Sequence, residues 1–466
     1  MSDERDTIDS LLILGADGDL AARLLMPGLA TYLGSKKGTS LQLLGGGMSD
    51  LSEKEWKARV KESFSSSGAK GRRVDSALNR TRYFRLDASD GADLQRVLKA
   101  CKGTPAIYFA LPPAVTAKVC AALKDLDYPK GLTLVMEKPF GVDQDSATLL
   151  NALVTSIVPE NQVHRVDHFL GHSDVLNILG TRFANRFLEP VWNSAHIERI
   201  EIVFDEDLTL ENRAGYYDHA GALVDMIQSH LLEVMGLLMM EPPATLHEAD
   251  LRDGKAQAIR ATHVYDDDPV KHSRRARYTA GKLGRRSVPA YTREPGVDPR
   301  RGTETLTELT VEVRNWRWAG VPVTLRSGKS IGKPRKEIVV TFKPPEHLPT
   351  GFTGSDRPAQ LHIGMSPTRL MLGMDVNGPG DPFSLDWAEL EADLGPGEME
   401  SYGEVLAGVI AADPTLSVRG DTAEQCWRII APVQRAWRAD KVPMQTYPAG
   451  SCGPKGWVSD PSDDSR

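Results

Sequence analysis

The stretch HRVDHFLGH, residues 164–172, sets His164, His168 and His172 four residues apart, with Asp167 among them. On a helix that spacing would put the three rings on one face. Three readings of it stand open. Zinc would need the ligands to converge. A catalytic or phosphate-binding site would use an imidazole's ability to exchange protons near neutral pH. A polar or core face would do no chemistry. A second grouping lies in GALVDMIQSHLLEVMGLLMM, residues 221–240, where Asp225, Ser229, His230 and Glu233 interrupt an apolar helix. A histidine so placed is either a satisfied core residue or, beside a carboxylate, a general base. GADGDL, residues 15–20, offers Gly15 and Gly18, which let the backbone approach a pyrophosphate at a helix N-terminus. Its other reading is a tight turn between strand and helix. In MEKPFG, residues 136–141, Lys138 would stand over the carboxyl edge of a sheet, where ligands bind in open α/β folds, or in an ordinary surface turn. Pro139 restricts the lysine's backbone and allows a cis or strained peptide.

These residues need elements to position them. LLILGADGDLAARLLMPGLATYL reads as strand, Gly turn and helix, and LQLLGGG (41–47) follows at the distance expected of a βαβ unit. PAIYFAL (105–111) and LTLVMEKPFG (132–141) read as buried strands, with helical PAVTAKVCAALKDL between them. Strands alternating with helices predict a doubly wound, mostly parallel sheet over roughly residues 8 to 170. The pattern then changes. HIERIEIVFDED (196–207), TELTVEVRNWRW (307–318), PVTLRSG (322–328), KEIVVTFK (336–343), QLHIGMS (360–366) and RLMLGMDV (369–376) alternate apolar and polar residues. They predict a large, mainly antiparallel sheet. The helix at 221–240 is expected to be buried in a domain or oligomer interface.

Composition bounds the rest. A chain of 466 residues, 41% hydrophobic and 26% charged, has ample material for more than one core. A net charge of -7 points away from nucleic-acid and membrane-surface partners. HSRRAR (272–277) is expected to be solvated loop. No signal peptide is read at the N-terminus and no apolar run of membrane-spanning length. Four scattered cysteines without a CxxC pair suit a reducing, cytoplasmic setting.

RVDHFLGH, followed by RFANRFLEPVWN (182–193), resembles the signature of glucose-6-phosphate dehydrogenases, which read RxDHYLGKE there. GADGDLAARLLMPGL is similar to that family's GASGDLAKRKLYPAL. EKPFG, GYYDHAGALVDMIQSHLLEVMGLLMMEPP, NWRWAGVPVTLRSGK and TYPAGSCGP match further family blocks in order. The resemblance implies a Rossmann-like domain over 8–172 and an α+β substrate-binding and oligomerisation domain over 173–458, followed by a polar tail, 459–466. It also implies a homodimer or homotetramer. The implied reaction oxidises the C1 hydroxyl of glucose 6-phosphate to 6-phosphogluconolactone, with hydride passing to NADP or NAD, as in the first oxidative step of the pentose phosphate pathway.

Carried over residue by residue, the resemblance makes His230 the general base and Asp167 the carboxylate that orients it. It places Lys138 between sugar and cofactor, and His168 and His172 at the sugar phosphate. Glu206 and Asp225 would accept hydrogen bonds from sugar hydroxyls, Lys329 would be a sugar-site lysine, and Arg335 a phosphate or sugar contact. The cofactor would lie against Gly15, Ala16, Asp17, Gly18, Asp19, Leu20, Met48 and Lys138. His164 is assigned no role, and no metal is expected.

Four positions depart from the family. His172 and Ser173 stand where the family has the Lys-Glu of GKE, so a permanent cation becomes one that is charged only when protonated. Met48 stands where NADP-preferring members have an arginine, and Asp17 where they have a Ser or Thr. Both losses bear on the 2′-phosphate, and they imply that NAD is used comparably to NADP. Arg23 and Lys54 are the candidate replacement cations. His172 keeps open a dehydrogenase of a different aldose. A catalytically degenerate, cofactor-binding regulatory paralogue is the non-enzyme reading, and the retained Asp167, His230 and Lys138 stand against it.

Overall fold

The computed structural model describes residues 7–211, 214–354, 357–395 and 397–457. The polar tail 459–466 lies outside the described residues. The chain divides into two compact units. Unit 1 holds the chain through Val175, with Pro243–Ala256 and Gly397–Gln425; unit 2 holds Leu176–Pro242, Gln257–Pro396 and the chain from Cys426.

Unit 1 is built on six strands: β1 (Ser10–Leu14), β2 (Gln42–Gly47), β3 (Arg82–Arg85), β4 (Pro105–Phe109), β5 (Thr133–Glu137) and β6 (Val163–Val166). Their order is β3-β2-β1-β4-β5-β6 and every pair is parallel. The short apolar runs SLLIL and PAIYF are buried along their whole length, as a sheet covered on both faces requires. The order reverses between β1 and β4, which is where such sheets bind ligands. After β1 the chain turns at Gly15, whose φ is 80°; a Cβ there would meet the Ala110 carbonyl oxygen at 2.3 Å. A π-helical turn, Ala21–Leu25, then leads into α1 (Met26–Gly34). After β2, Ser52 caps α2 (Glu53–Ser66) with Glu55 in a reciprocal capping box.

The helical reading of residues 164–172 does not hold. His164 lies in β6, a fully buried strand, with its ring nitrogen 3.1 Å from Ser417 Oγ. Asp167 ends the strand and caps a 3₁₀ turn, His168–Gly171, by accepting the Phe169 N–H at 3.0 Å. VHRV can be a buried strand because its polar members find partners: Arg165 donates to Glu160 and to Asn151.

Unit 2 carries an eleven-stranded sheet. Its members are β7 (Ile197–Asp205), β8 (Thr262–Val264), β9 (Ser273–Thr279), β12 (Leu306–Val313), β13 (Val323–Gly328), β14 (Lys336–Phe342), β15 (Thr353–Gly354), β16 (Gln360–Met365), β17 (Thr368–Asn377), β18 (Ser384–Asp393) and β19 (Met444–Pro448). A separate hairpin pairs β10 (Gly281–Leu283) with β11 (Arg286–Val288). The sheet is mixed: β7–β13, β9–β19 and β15–β18 are parallel and the other pairs antiparallel. HSRRAR is not loop, since Ser273–Arg277 belong to β9. Arg275 is buried there because its guanidinium is met by the Val442 carbonyl (2.8 Å) and Asp440 (3.0 Å).

The apolar stretch at 221–240 forms part of a longer helical run, Ala214–Met239, long and apolar enough by composition to cross a membrane, contrary to the sequence reading. Its most apolar window is 94% buried within the protein, which makes it a core helix. Gly221, at φ 65°, kinks the run, and Leu223–Leu231 is π-helical.

At the sheet's centre, Arg326 is fully buried. It pairs with Asp205 at 3.1 Å and Glu308 at 3.1 Å, and donates to the Cys452 carbonyl at 2.8 Å. Burial lifts the Asp205 carboxyl to about 6, although Arg326 draws it down. Removing one member of such a group leaves a buried charge unmatched, which costs about 3–5 kcal/mol. Arg326→Met is therefore expected to lower the thermal midpoint markedly. The triple change Arg326→Met, Asp205→Leu and Glu308→Leu should recover much of the loss. An unchanged midpoint in the single variant would contradict this.

Candidate active site

Unit 1 gathers Lys138, Asp167, His168 and His172 near the carboxyl ends of β5 and β6. The Lys138–Pro139 peptide is cis. Beside it, Glu137 accepts hydrogen bonds from the Tyr108 hydroxyl and, at 3.3 Å, from the Tyr402 hydroxyl. Burial pushes the Glu137 carboxyl up to about 7; the two tyrosines and Lys138 pull against that, and Asp167 adds to it. Tyr402 in turn stacks on His168, with ring centroids 5.6 Å apart and planes at 10°. The His168 ring also approaches that of His172 at 5.9 Å. His172 Nδ1 lies 3.6 Å from the Asp174 carboxylate, a contact that becomes an ion pair only when the ring is protonated. Burial raises the Asp174 carboxyl and His172 partly offsets it.

Unit 2 holds the other predicted catalytic and substrate-site residues. The parallel pairing of β7 with β13 sets Asp205 opposite Gly328, so the residues that follow each strand are neighbours. Lys329 Nζ accordingly meets Glu206 at 2.6 Å. The same ammonium lies 5.1 Å from the centre of the Tyr217 ring. Tyr217 is buried, and its hydroxyl has no hydrogen-bond partner among the described residues. Burial foremost, then the Asp225 charge, pushes its phenol well above the usual range. A buried hydroxyl left over beside an ammonium and a carboxylate suits a polyhydroxylated ligand. Asp225 and His230 are both buried and sit on the π-helical segment, a distortion frequent at functional sites. Arg335 is engaged by carboxylates of the sheet, Glu337 at 2.7 Å and Glu201 at 3.7 Å.

The cofactor-loop residues Gly15 to Leu20 run from the end of β1 to the start of the following helix. Without a side chain, Gly15 lets the loop pack against the Ala110 carbonyl, ahead of the helix N-terminus that suits a diphosphate. Met48 follows β2 and is 75% exposed, with no charge to offer.

Models of two domain families account for almost the whole chain: "Glucose-6-phosphate dehydrogenase, NAD binding domain" over residues 12–177, and "Glucose-6-phosphate dehydrogenase, C-terminal domain" over residues 179–460. The chain belongs to the glucose-6-phosphate dehydrogenase family. Among its relatives, the glucose-6-phosphate 1-dehydrogenase of Treponema pallidum is 37% identical, over 96% of this chain and 92% of that protein. The glucose-6-phosphate 1-dehydrogenase structure from Mycobacterium avium superposes with a TM-score of 0.84 at 30% identity, covering 97% of this chain and 96% of the other. A glucose-6-phosphate dehydrogenase solved in complex with its substrate glucose-6-phosphate has a TM-score of 0.87 at 26% identity, covering 98% of both chains. Like the family's other members, the chain is therefore an enzyme with a nicotinamide-dinucleotide-binding domain.

Sequence reasoning passed over Glu137, Tyr402 and Tyr217. Glu137 was within reach, as the neighbour of Lys138 in EKP. Tyr402 was not, because it meets Glu137 from 265 residues away.

Proposed function

We propose that this chain oxidises the C1 hydroxyl of glucose 6-phosphate to 6-phosphogluconolactone with a nicotinamide dinucleotide, and uses NAD at least comparably to NADP. The full-length family match, with RVDHF, QSHLLE, EKP and RSGK all retained, carries the reading. In it, His230 takes the O1 proton as the C1–O1 bond becomes a carbonyl. Asp167 holds the imidazole in the tautomer that accepts that proton. Glu206, Asp225 and Lys329 orient the sugar hydroxyls, with Arg335 assigned to the phosphate or sugar. His168 and His172 hold the phosphate. Lys138 stands between sugar and cofactor. The bound nicotinamide supplies the hydride acceptor for C1. Four scattered cysteines, Cys101, Cys120, Cys426 and Cys452, with no CxxC pair fit a cytoplasmic protein, and a homodimer or homotetramer completes the reading. The test is isotopic. Glucose 6-phosphate deuterated at C1 should leave its label on the reduced nicotinamide, and label that stays with the sugar product would refute the reaction.

His172 gives the phosphate site a pH dependence. Its ring can pair with the phosphate only when protonated. KM for glucose 6-phosphate is expected to rise with pH as the ring gives up its proton. His172→Lys should flatten that rise. The same profile in the variant would show that another cation holds the phosphate.

A further inference from the structure

The end of β2 contains an arrangement that no family motif describes. The Asp17 side chain leaves the phosphate loop and accepts the Ser49 backbone N–H at 2.9 Å. It can do so because residue 47 has no side chain: a Cβ on Gly47 would lie 2.3 Å from Asp17 Oδ1 and 2.8 Å from the Tyr83 hydroxyl. Tyr83 closes the turn by donating to the Ser49 carbonyl at 3.1 Å. Behind the loop, Arg59 of α2 donates to the Asp17 carbonyl at 2.6 Å and the Gly18 carbonyl at 3.3 Å. Burial acts to raise the Asp17 carboxyl, but the Ser49 hydrogen bonds and the Arg59 charge outweigh it and hold it below its usual range. Asp17 is therefore an anion at neutral pH, fixed at the carboxyl end of β2.

In sheets of this strand order, an acid about twenty residues beyond the phosphate loop meets the adenosine ribose of NAD. This chain has GGGMS there, and the acid that follows, Asp50, lies 3.4 Å from the Arg85 guanidinium. We propose that Asp17 does that work from the phosphate loop. Its carboxylate accepts the ribose 2′-hydroxyl and blocks a 2′-phosphate, Gly47 provides the space, and Arg59 is a positioning residue that anchors the loop through its carbonyls. The proposal rests on the reading that a nicotinamide dinucleotide binds at this loop. A 2′-phosphate would meet a fixed negative charge, and the Ser49 N–H it could have used is already taken.

The test is titration calorimetry of the full chain with 5′-AMP and 2′,5′-ADP, which differ at the ribose in the way that NAD and NADP differ. Asp17→Ser should improve 2′,5′-ADP binding relative to 5′-AMP about tenfold or more. Gly47→Ala should move the ratio in the same direction with Asp17 still present, because the new methyl displaces the carboxylate. Arg59→Met should weaken both ligands together. An unmoved ratio in Asp17→Ser would overturn the proposal, even if the wild type favours 5′-AMP. So would a loss confined to 2′,5′-ADP in Arg59→Met, which would make Arg59 a phosphate cation. A wild type that strongly prefers 2′,5′-ADP would instead refute the reading of comparable NAD use. A further rise in Asp17→Ser would then still support the role of Asp17.

Discussion

His230→Asn is expected to lower kcat by at least about 10²-fold with little change in KM. Asparagine is close to histidine in size and can hydrogen-bond, so it should leave sugar binding nearly intact. It cannot take a proton. The reaction needs the O1 proton to leave as hydride departs from C1, so the missing base is felt in the transition state and hardly in the ground state. General-base catalysis contributes about 10² to 10⁴ in rate, which sets the size of the loss. His230 is buried, so the unfolding midpoint of the variant should be measured alongside. Asp167→Asn should also lower kcat, because an amide presents the wrong partner to the imidazole and favours the wrong tautomer. Near-normal kcat at neutral pH in His230→Asn, with the fold intact, would remove His230 from the role.

The second large effect concerns the cofactor. Met48 takes the place of an arginine that pairs with the 2′-phosphate in NADP-preferring members of the family. A hydrogen bond to a charged group is worth roughly 1.5–3 kcal/mol, and a factor of ten is about 1.4 kcal/mol. Losing the arginine is therefore enough to erase an ordinary NADP preference, and the fixed carboxylate of Asp17 acts in the same direction. The ratio of kcat/KM for NADP to that for NAD should be near or below unity in the wild type. In the double variant Met48→Arg with Asp17→Ser it should rise by roughly 10-fold to 10²-fold or more. A wild type that prefers NADP a hundredfold would contradict the account. A double variant that shows no shift would mean that these two positions do not contact the 2′-phosphate.

Much of this architecture can be read from local pattern. SLLIL, QLLGGG, PAIYF and TLVME are short apolar runs between turn residues, and each is a parallel strand of unit 1. The alternating runs of the second half are strands of the large sheet. The failures share a cause. VHRV and SRRARYT carry arginines and a histidine that pattern assigns to a surface, yet Arg165 and Arg275 are buried because the Glu160 carboxylate receives one and the Val442 carbonyl, distant in sequence, the other. SLDWAELEAD is acidic enough to pass for a loop, and it is a ten-residue strand. The Gly221 kink and the π-helical turn after it leave no mark on hydrophobic periodicity. In the candidate site, the residues legible in sequence are those inside compact motifs. Tyr402 beneath His168 and Arg59 behind Asp17 depend on chain crossings that motifs do not encode.

The most direct measurement is steady-state reduction of nicotinamide dinucleotide by the purified protein, with glucose 6-phosphate and with glucose, each at a range of concentrations and with both cofactors. The account predicts that glucose 6-phosphate supports turnover with NAD and with NADP, and that its kcat/KM far exceeds that of glucose because the phosphate is held by His168 and His172. Glucose oxidised as efficiently as its 6-phosphate, or no reduction of either cofactor by glucose 6-phosphate, would contradict it.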